Sequence, residues 1–305
     1  MVASAMNWSS RYRNSASLLI FGTILILGLG LSPAPCLAQT GGSSFGSAIV
    51  DYFANWFPRV TQIQSEQPHW ITPLVTVTPR LEEELRYDQY WESQRYGSTI
   101  DNFGDSKGLE LIPFQNTEII LGIPGWVAHN GTQRPGGDTD GWADETFLIK
   151  YRLLSANEDN GNYIVTAFMG FSAPTGDDGN SNRHGVFTPT IAGGKGFGNF
   201  DVQATAGISL PDGGLQRLGM PLAWNTAFQY HVFHYFWPEF EVNYTWWPNG
   251  EREGQTQVFL TPGLMIGRIP IHNRVGITFG AGYQVAVTKN PAYNHAVIAS
   301  GRIPF

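Results

Sequence analysis

Hydrophobic and polar residues alternate with a period of two along most of the chain. Four successive C-terminal segments show this most clearly, with mainly aromatic or aliphatic residues at one parity: Trp224, Thr226, Phe228, Tyr230 and Val232; Phe240, Val242, Tyr244 and Trp246; Val258, Leu260, Leu264 and Ile266; Val275, Ile277, Phe279, Tyr283, Val285 and Val287. The other parity holds polar residues and glycines: Asn225, Gln229, His231, Glu241, Asn243, Thr245, Gln257, Thr261, Gly263, Thr278, Gly280, Gly282 and Gln284. Successive side chains of a strand point to opposite faces, so the pattern predicts strands with one apolar and one polar face.

Further alternating segments precede these four. They lie near residues 78–94, 107–130, 142–154, 162–175, 186–197 and 199–211. The total is about eleven strands, or about twelve if the even-number rule for bacterial barrels holds. Their length suits the roughly 9–11 residues of a tilted bilayer crossing, whereas the strands of a soluble β-sandwich, the alternative, are shorter. We therefore predict an all-β fold, a transmembrane antiparallel β-barrel of about twelve strands.

The composition is consistent with a membrane barrel. Charged residues make up 14% of the chain, against about 25% in an average soluble domain. Beyond the N-terminal region, no apolar run approaches the roughly 18 residues of a membrane helix. Only helices and closed barrels satisfy every backbone polar group in lipid. If the chain spans a membrane, we expect it to do so as a closed barrel.

The first 38 residues have the layout of a cleaved secretory signal. Arg11 and Arg13 precede an apolar run that begins at Leu18, and small residues follow as far as Ala38. We expect cleavage after Ala38 rather than a retained anchor or a lipid anchor at Cys36. Cleavage removes the only cysteine and two of the 18 basic residues, so the formal net charge moves from −7 to −9 against 25 acidic residues.

The segment 39–77 lies between the signal peptide, 1–38, and the predicted barrel, 78–305. Its apolar residues Phe45, Ile49, Phe53 and Trp56 follow helical spacing, and we expect Pro58 to end the helix. This short N-terminal helical segment has three alternative placements. It plugs or lines the lumen, lies at the periplasmic membrane surface, or packs on the barrel rim.

Particular stretches carry a family resemblance. They are QSEQPHWITPLVTVTPRLEEELRYD, KYRLL, FMGFSAPTG, GGKGFGNFDVQATAGISLP, FWPEFEVNYTWW, FLTPGLMIGRIPI, RVGITFGAGYQVAVT and SGRIPF. From about Gln64 to Phe305 the chain resembles the outer-membrane transporter family associated with the meta-pathway of phenol degradation. The resemblance implies a channel in the bacterial outer membrane that passes small molecules, aromatic or otherwise hydrophobic, by passive diffusion through the barrel lumen.

The resemblance also implies partners. The C-terminal strand closes on Phe305, like the last strand of bacterial outer-membrane barrels, which the barrel assembly machinery reads. The other expected partners are outer-membrane lipids and the small-molecule solute. No basic patch indicates nucleic acid.

A facing rule follows if Ile303 and Phe305 face lipid, because Ser300 and Arg302 then face the lumen. The rule also turns Asp144, Asp201 and Gln203 inward. It turns nine residues outward: Leu81, Leu85, Tyr87, Phe147, Ile149, Tyr151, Leu153, Val202 and Ala204. Glu83 breaks it unless that residue lies at the membrane rim. An Arg or Lys at the lipid midplane costs about 2–4 kcal/mol, which enforces the separation.

We predict that the solute pathway is lined by eleven inward polar residues: Glu82, Glu84, Arg86, Asp88, Lys150, Arg152, Gln229, Glu241, Asn243, Gln284 and Arg302. The alternative is that these side chains only pair with one another and hydrate the wall.

Other chemistry is weighed against the channel. An outer-membrane enzyme that modifies lipid or lipopolysaccharide is the alternative function, and it would need His231 as a base beside Ser209 or Ser300. Nothing local indicates an activated nucleophile, so we predict no catalytic residue and no cofactor.

Metal and phosphate sites are also weighed. The loop GDTDGWADE offers oxygen ligands for Ca²⁺ at Asp138, Asp140, Asp144 and Glu145, but it lacks EF-hand spacing, so a solvated loop is favoured. His231 and His234 would lie on opposite faces of a strand, so we predict no metal site. The motif GGKGFG, residues 193–198, predicts a tight reversal rather than a phosphate cradle.

Overall fold

The computed structural model describes residues 45–94, 97–105, 107–131 and 140–305. The predicted signal peptide and its cleavage site lie outside these residues. Within them, no helix combines the length and the hydropathy needed to cross a membrane. The chain divides into two compact units between Tyr52 and Phe53. The account below concerns the second unit, residues 53–305.

Two helices precede the strands. They are α1 (Phe45–Ala54) and α2 (Trp56–Ser65), and a short helix, α3 (Leu215–Leu218), follows later. The expectation that Pro58 ends a helix was wrong, because Pro58 is the third residue of α2. The first backbone N–H groups of a helix have no partner within it, so proline in the first turn removes no hydrogen bond. The helical segment is therefore two helices separated by Asn55.

The described residues contain sixteen strands. In chain order they are β1 (Glu84–Ser93), β2 (Thr99–Gly104), β3 (Gly108–Phe114), β4 (Thr117–Gly122), β5 (Trp126–Asn130), β6 (Gly141–Trp142), β7 (Glu145–Ala156), β8 (Tyr163–Ala173), β9 (Val186–Phe197), β10 (Phe200–Ile208), β11 (Leu210–Pro211), β12 (Leu222–Tyr230), β13 (Phe236–Trp246), β14 (Thr256–His272), β15 (Val275–Ala286) and β16 (His295–Pro304).

Twelve of the strands in this described part form a closed antiparallel barrel. The ring runs β1, β3, β4, β7, β8, β9, β10, β12, β13, β14, β15 and β16, and β16 pairs back with β1 from Glu84–Pro304 to Ser93–His295. The short strands β2, β5 and β6 extend the wall beside β1. Closure leaves no strand edge in the ring unpaired, which is the condition for a sheet to cross lipid. The predicted twelve-stranded barrel is confirmed.

Two of the predicted strands differ from the observed ones. The stretch 107–130, expected as a single strand, turns back at Gln115 and Asn116, so that β3 pairs with β4. This hairpin supplies the twelfth strand. The stretch 78–94 is strand only from Glu84 onward. Leu81, expected to face lipid, is instead fully buried against Val60, Ile63 and Ile112.

The facing rule holds along the strands themselves. On β1, Leu85 and Tyr87 are 42% and 50% exposed, while Arg86 and Asp88 are 5% and 0% exposed. The same alternation places large apolar side chains on the outer surface of other strands: Tyr151, Leu153, Ile191, Trp224, Phe228, Phe240, Tyr244, Phe279, Tyr283, Val297 and Ile303. The outer face therefore suits lipid and the inner face is polar.

The two ends of the barrel differ. Short connections at residues 115–116, 198–199 and 273–274 lie at the end that holds Glu84 and Pro304. Longer connections, at residues 174–185 and 247–255 among others, lie at the opposite end. Outer-membrane barrels place short turns in the periplasm and long loops outside the cell. We call these the short-turn end and the long-loop end.

Replacement of Ala281 by Arg tests the lipid face. Ala281 is exposed near the middle of β15, beside Leu264 and Ala299 on the neighbouring strands. We expect Ala281→Arg to lower the free energy of unfolding by about 2–4 kcal/mol in lipid vesicles, because the guanidinium meets hydrocarbon. Ala281→Leu is the matched control and should be neutral. Equal stabilities of the two variants in urea titrations would contradict this assignment.

Candidate functional site: a plugged lumen

Residues 67–83 run through the barrel interior without forming a strand or a helix. We call this segment the plug. Fourteen of its residues are buried: Gln67, Pro68, Trp70, Ile71, Thr72, Pro73, Leu74, Thr76, Thr78, Pro79, Arg80, Leu81, Glu82 and Glu83. A buried backbone that pairs with no strand must find other partners for its N–H and C=O groups. In this barrel the partners are inward side chains of the wall together with the plug's own Gln67, Thr78 and Arg80.

Two arginines of the wall hold three consecutive carbonyl groups in the middle of the plug. Arg302 of β16 donates from Nη1 to the Thr72 oxygen at 2.6 Å and from Nη2 to the Pro73 oxygen at 2.7 Å. Arg86 of the adjacent β1 donates from Nη2 to the Leu74 oxygen at 2.6 Å. Both guanidinium groups are buried, so these charge-assisted bonds are not weakened by water.

Two glutamates hold the following amides. Glu239 of β13 accepts the Leu74 N–H at 3.1 Å through Oε1. Glu241, two residues further along the same strand, accepts the Val75 and Thr76 N–H groups at 2.7 and 2.6 Å through its two carboxylate oxygens. The plug backbone is therefore clamped by cations at its carbonyls and by anions at its amides.

Side chains from three other strands complete the attachment. Gln203 of β10 donates to the Ile71 oxygen at 3.0 Å and accepts the Thr78 hydroxyl at 2.7 Å. Lys150 of β7 donates to the Arg80 oxygen at 3.2 Å. Thr166 of β8 donates to the Pro79 oxygen at 2.6 Å. Because the partners come from strands all round the ring, the plug crosses the lumen.

Glycines in the wall make room for two plug side chains. A Cβ on Gly194 of β9 would lie 2.5 Å from the Trp70 ring, and a Cβ on Gly282 of β15 would lie 2.5 Å from a Leu74 methyl group. Gly280 adjoins the same Leu74 methyl groups. Any larger residue at these positions would displace the plug or the wall. The wall is shaped around the plug as well as bonded to it.

The glycine motif at residues 193–198 therefore has a different role from the one expected. Residues up to Phe197 belong to β9, and only Gly198 and Asn199 form the reversal into β10. Gly198 has φ +63°, a conformation that favours glycine. Of the preceding glycines, Gly194 leaves the inner face of β9 bare for Trp70, and Gly196 lies against the Asn162 side chain.

Helix α2 is attached at the short-turn end. Arg152 of β7 donates to the Ile63 oxygen and to the Glu66 carboxylate, both at 2.9 Å. The Trp56 indole N–H donates to Glu83 at 2.8 Å, which links the start of α2 to the end of the plug. These bonds anchor the chain on both sides of the plug.

A further link at this end joins the plug to the β7–β8 connection. The His69 backbone N–H donates to Glu158 at 2.6 Å, and the His69 ring lies 2.8 Å from the other carboxylate oxygen. Burial raises the pKa of Glu158, but the hydrogen bonds from His69 lower it by more, so the carboxyl pKa lies below its usual value. Glu158 is accordingly ionised and able to accept both bonds at neutral pH.

All eleven predicted pathway residues lie inside the barrel. Each is at most 9% exposed: Glu82, Glu84, Arg86, Asp88, Lys150, Arg152, Gln229, Glu241, Asn243, Gln284 and Arg302. They do not line an open passage, however. Five bond to the plug (Arg86, Lys150, Glu241, Asn243 and Arg302), Glu82 belongs to it, and Arg152 holds α2. Their role in solute passage remains a prediction.

Three of the other predicted residues contact wall side chains that hold the plug. Asp88 forms a 2.7 Å ion pair with Arg86, and Gln229 donates to Glu239 at 2.7 Å. Gln284 donates to Asn243 at 3.1 Å. Glu84 has one buried carboxylate oxygen without a hydrogen-bond partner in the described part of the chain. These contacts fix the orientation of the side chains that grip the plug.

Sequence reasoning missed Glu239, although it shares the parity of Glu241 and Asn243. The sequence signal was present, because the alternation extends two residues upstream of Glu241 to Glu239, which is 6% exposed. The strand was read from Phe240, whereas β13 begins at Phe236.

Buried ion pairs surround the end of the plug. Arg80 and Glu82 pair at 2.7 Å, and Arg268 of β14 reaches the other Glu82 oxygen at 2.5 Å. Lys150 pairs with Glu118 of β4 at 2.8 Å. Removing one partner of a buried pair leaves an uncompensated charge, so these residues depend on one another.

A cavity of about 230 Å³ remains between the plug and the wall of β3, β4, β7, β8 and β9. Its apolar lining includes Val77, Ile120 and Leu148, and its charged lining includes Arg86 and Glu110. The plug therefore does not fill the lumen completely.

His231 and Ser209 do not form the base and nucleophile pair that the alternative enzyme would need. Ser209 follows the Ile208 end of β10, which pairs with Leu222, whereas His231 adjoins Tyr230 at the opposite end. The Ser300 hydroxyl donates to Asp88 at 2.6 Å.

Two carboxylates of the acidic loop GDTDGWADE accept hydrogen bonds. Asp140 and Asp144 accept backbone N–H bonds within neighbouring loops. Asp138 lies outside the described residues. Within those residues, no group of three or more His, Cys, Asp or Glu side chains could hold a metal ion.

Comparison with known proteins gives structural likenesses only. An outer-membrane channel from Pseudomonas putida F1 is similar, with a TM-score of 0.57 and 13% identity, over 77% of this chain and 100% of that one. The chain has the fold of a bacterial outer-membrane channel. The NanC porin (TM-score 0.47, 10% identity, 73% of this chain and 98% of that one) and the KdgM porin (0.42, 8%, 72% and 98%) are more distant. No family model and no curated protein matches the sequence.

Amide exchange tests the clamp. We expect Glu241→Ala to accelerate hydrogen exchange of the Val75 and Thr76 amides by at least about tenfold, since hydrogen bonds to charged groups contribute about 1.5–3 kcal/mol. Glu253→Ala, which removes an exposed loop carboxylate, is the control and should leave these amides unchanged. NMR of the detergent-solubilised protein would provide the rates. Unchanged protection in Glu241→Ala would show that the clamp does not hold the plug.

Proposed function

We propose that this protein is an outer-membrane channel that passes small molecules by passive diffusion, and that the plug holds it closed. The observation that carries the proposal is the attachment of the plug to side chains from strands all round the ring. A wall that is polar inside and apolar outside suits a water-filled passage through lipid.

The way in which the plug is attached to the wall supports opening of the channel. The Glu83 carbonyl accepts the Phe305 N–H at 3.0 Å beside the end of β16, but residues 67–82 do not pair with a barrel strand and can leave without breaking the hydrogen-bond ladder of the barrel. The inward polar residues would then meet water, which satisfies them at small cost. In the open state the ten predicted residues that belong to the wall become the lining of the solute pathway, and Glu82 leaves with the plug.

We further propose that the transported molecules include hydrophobic or aromatic ones, as the family resemblance implies. The cavity beside the plug offers support, because Val77, Ile120 and Leu148 give it an apolar side. Such a solute would enter from the long-loop end and move towards the periplasm down its concentration gradient.

Replacement of Gly282 tests the closed channel. A Cβ at Gly282 would overlap Leu74, so Gly282→Val should expel the plug, whereas Gly301 of β16 has open space around its Cβ position. In planar bilayers we expect the wild type and Gly301→Val to be nearly silent. Gly282→Val should show steady conductance that is at least about tenfold larger.

Three results would count against the proposal. The first is a wild type that conducts as well as Gly282→Val, because the plug would then not close the channel. The second is a folded Gly282→Val barrel with a displaced plug and no conductance. The third is a Gly301→Val barrel that also opens, since the effect would then not depend on Leu74. Folding of each variant is checked by the shift in gel mobility on boiling.

The C-terminal residue gives a separate test of location and assembly. We propose that the assembly machinery reads the strand that ends in Phe305. Phe305→Asp should therefore reduce outer-membrane levels several-fold while export continues. Phe233→Asp is the control, because Phe233 is an aromatic residue at the short-turn end that is 86% exposed. Equal reduction of both variants in fractionated membranes would contradict a specific role for Phe305.

A further inference from the structure

The strand pairing of the wall is interrupted beside the cavity. Within the described residues, β4 pairs with β7 as far as Leu121–Phe147, and pairing resumes between β5 and β6 at Trp126–Trp142. Residues 122–125 and 143–146 lie opposite one another between these two pairs, in the same register but outside any strand pairing. We call this part of the wall the gap. The barrel is closed on both sides of it.

The backbone of the gap forms its hydrogen bonds in other directions. Pro124 has no N–H group to offer. Ile123 and Glu145 are directly opposite in register, yet neither N–H group bonds across the gap. The Ile123 N–H donates to the oxygen of Lys107, which precedes β3, at 3.0 Å. The Glu145 N–H donates to the Thr175 hydroxyl at 2.9 Å, beyond the end of β8.

The position of the gap along the barrel axis is marked by two tryptophans. Trp126 and Trp142 border it towards the long-loop end, where both are exposed and their rings pack edge to face at 5.1 Å. The Ala143 N–H donates to the Gly125 oxygen at 2.8 Å on the same border. Tryptophan is enriched at membrane–water interfaces, so the gap lies on the hydrocarbon side of such a belt. Irregular backbone at this depth is tolerated where it is buried in protein or lines a cavity.

Apolar side chains connect the cavity with the gap. Ile120 and Leu148, an inward pair of the β4–β7 ladder, line the cavity next to it. Gly122 follows Ile120 on the inner face and has no side chain to fill the space, and Thr146 opposite it also lines the cavity. On the outer face Ile123 is 57% exposed. A hydrophobic molecule in the cavity therefore has a short apolar path to lipid.

The cavity also extends towards the long-loop end. Thr146, Ser172 and Thr188 line it, and each lies within three residues of the end of its strand there. The plug borders it on the other side through Thr72, Val77 and Thr78. A solute that enters from outside the cell thus meets the plug along the barrel axis and the gap at its side.

We propose that the gap is a lateral exit, through which small uncharged aromatic or aliphatic solutes pass from the cavity into the outer leaflet of the membrane. The inference rests on the proposed function for its class of solute, but it does not require the plug to leave. Transfer of an apolar solute from water into hydrocarbon is favourable, so passage needs no energy source. Ions and polar solutes gain nothing from this exit and depend on displacement of the plug.

A reversible seal tests the exit in cells that produce the full-length protein. Ile123→Cys with Glu145→Cys places a cysteine pair across the gap, and Ile119→Cys with Ile149→Cys places one across the intact ladder of the same strands. Uptake is followed with N-phenyl-1-naphthylamine, whose fluorescence rises in hydrocarbon. We expect wild-type cells to take up this probe several-fold faster than cells without the protein. Oxidation of the gap pair should abolish the difference and dithiothreitol should restore it, whereas the ladder pair should have no effect.

A second variant does not depend on disulfide formation. Thr146→Trp places a large side chain on the cavity side of the gap and should slow uptake to the level of cells without the protein. Folding is checked by the shift in gel mobility on boiling, and the disulfides by loss of thiol labelling. Unchanged uptake in the oxidised gap pair or in folded Thr146→Trp would overturn the proposal. Equal slowing by the ladder pair, or wild-type uptake no faster than in cells without the protein, would also overturn it.

Conductance separates this inference from the axial channel. Conductance in Gly282→Val together with probe uptake that does not depend on the gap would overturn the lateral exit alone. Gap-dependent uptake without conductance in Gly282→Val would refute the axial channel and leave the lateral exit standing.

Discussion

Hydrogen bonding of the plug backbone is the constraint on which the rest of the interior depends. Residues 67–83 enter a closed barrel whose strands have no free edge, so the plug cannot pair with the sheet. An unpaired peptide group in a buried site costs free energy comparable to a lost hydrogen bond. The wall therefore supplies side chains of the right sign at the right depth, arginines for carbonyls and glutamates for amides.

The constraint explains two features of the wall that would otherwise be unrelated. The inner face carries many charged residues, and most of them are buried. The same face carries glycines at Gly194, Gly280 and Gly282, where strands would gain from larger residues. Both features serve the plug, because charges bind its backbone and glycines accommodate Trp70 and Leu74. A wall of this kind is suited to hold a peptide chain.

The barrel and the plug are stabilised by different interactions. The ring is a continuous ladder of backbone hydrogen bonds closed between β1 and β16, which lipid strengthens because it offers no competing partner. The plug is held by side chains that water could replace. Opening of the plug therefore costs much less than opening of the ring. This difference supports the proposed closure of the channel by the plug.

Much of the architecture could be predicted from the sequence, because strand alternation is a local property. The parity of Arg86, Gln229, Glu241, Gln284 and Arg302 places each inside, and each is buried there. Local pattern was less informative where the chain turned: the Gln115–Asn116 hairpin was missed within one apolar segment, and Pro58 was mistaken for a helix end.

The partners of the inward residues were decided only by the tertiary structure. Glu239 and Glu241 lie 165 residues from Leu74 and Thr76 in the chain, and the Arg302 contacts with Thr72 and Pro73 span about 230. Alternation shows which face a side chain occupies but not what occupies the space in front of it. The plug has no period of its own, since its conformation is set by the wall. The sequence by itself therefore determined a barrel with a polar interior. Only the tertiary structure decided that residues 67–83 occupy this interior, because the side chains that hold them come from strands far away in the chain.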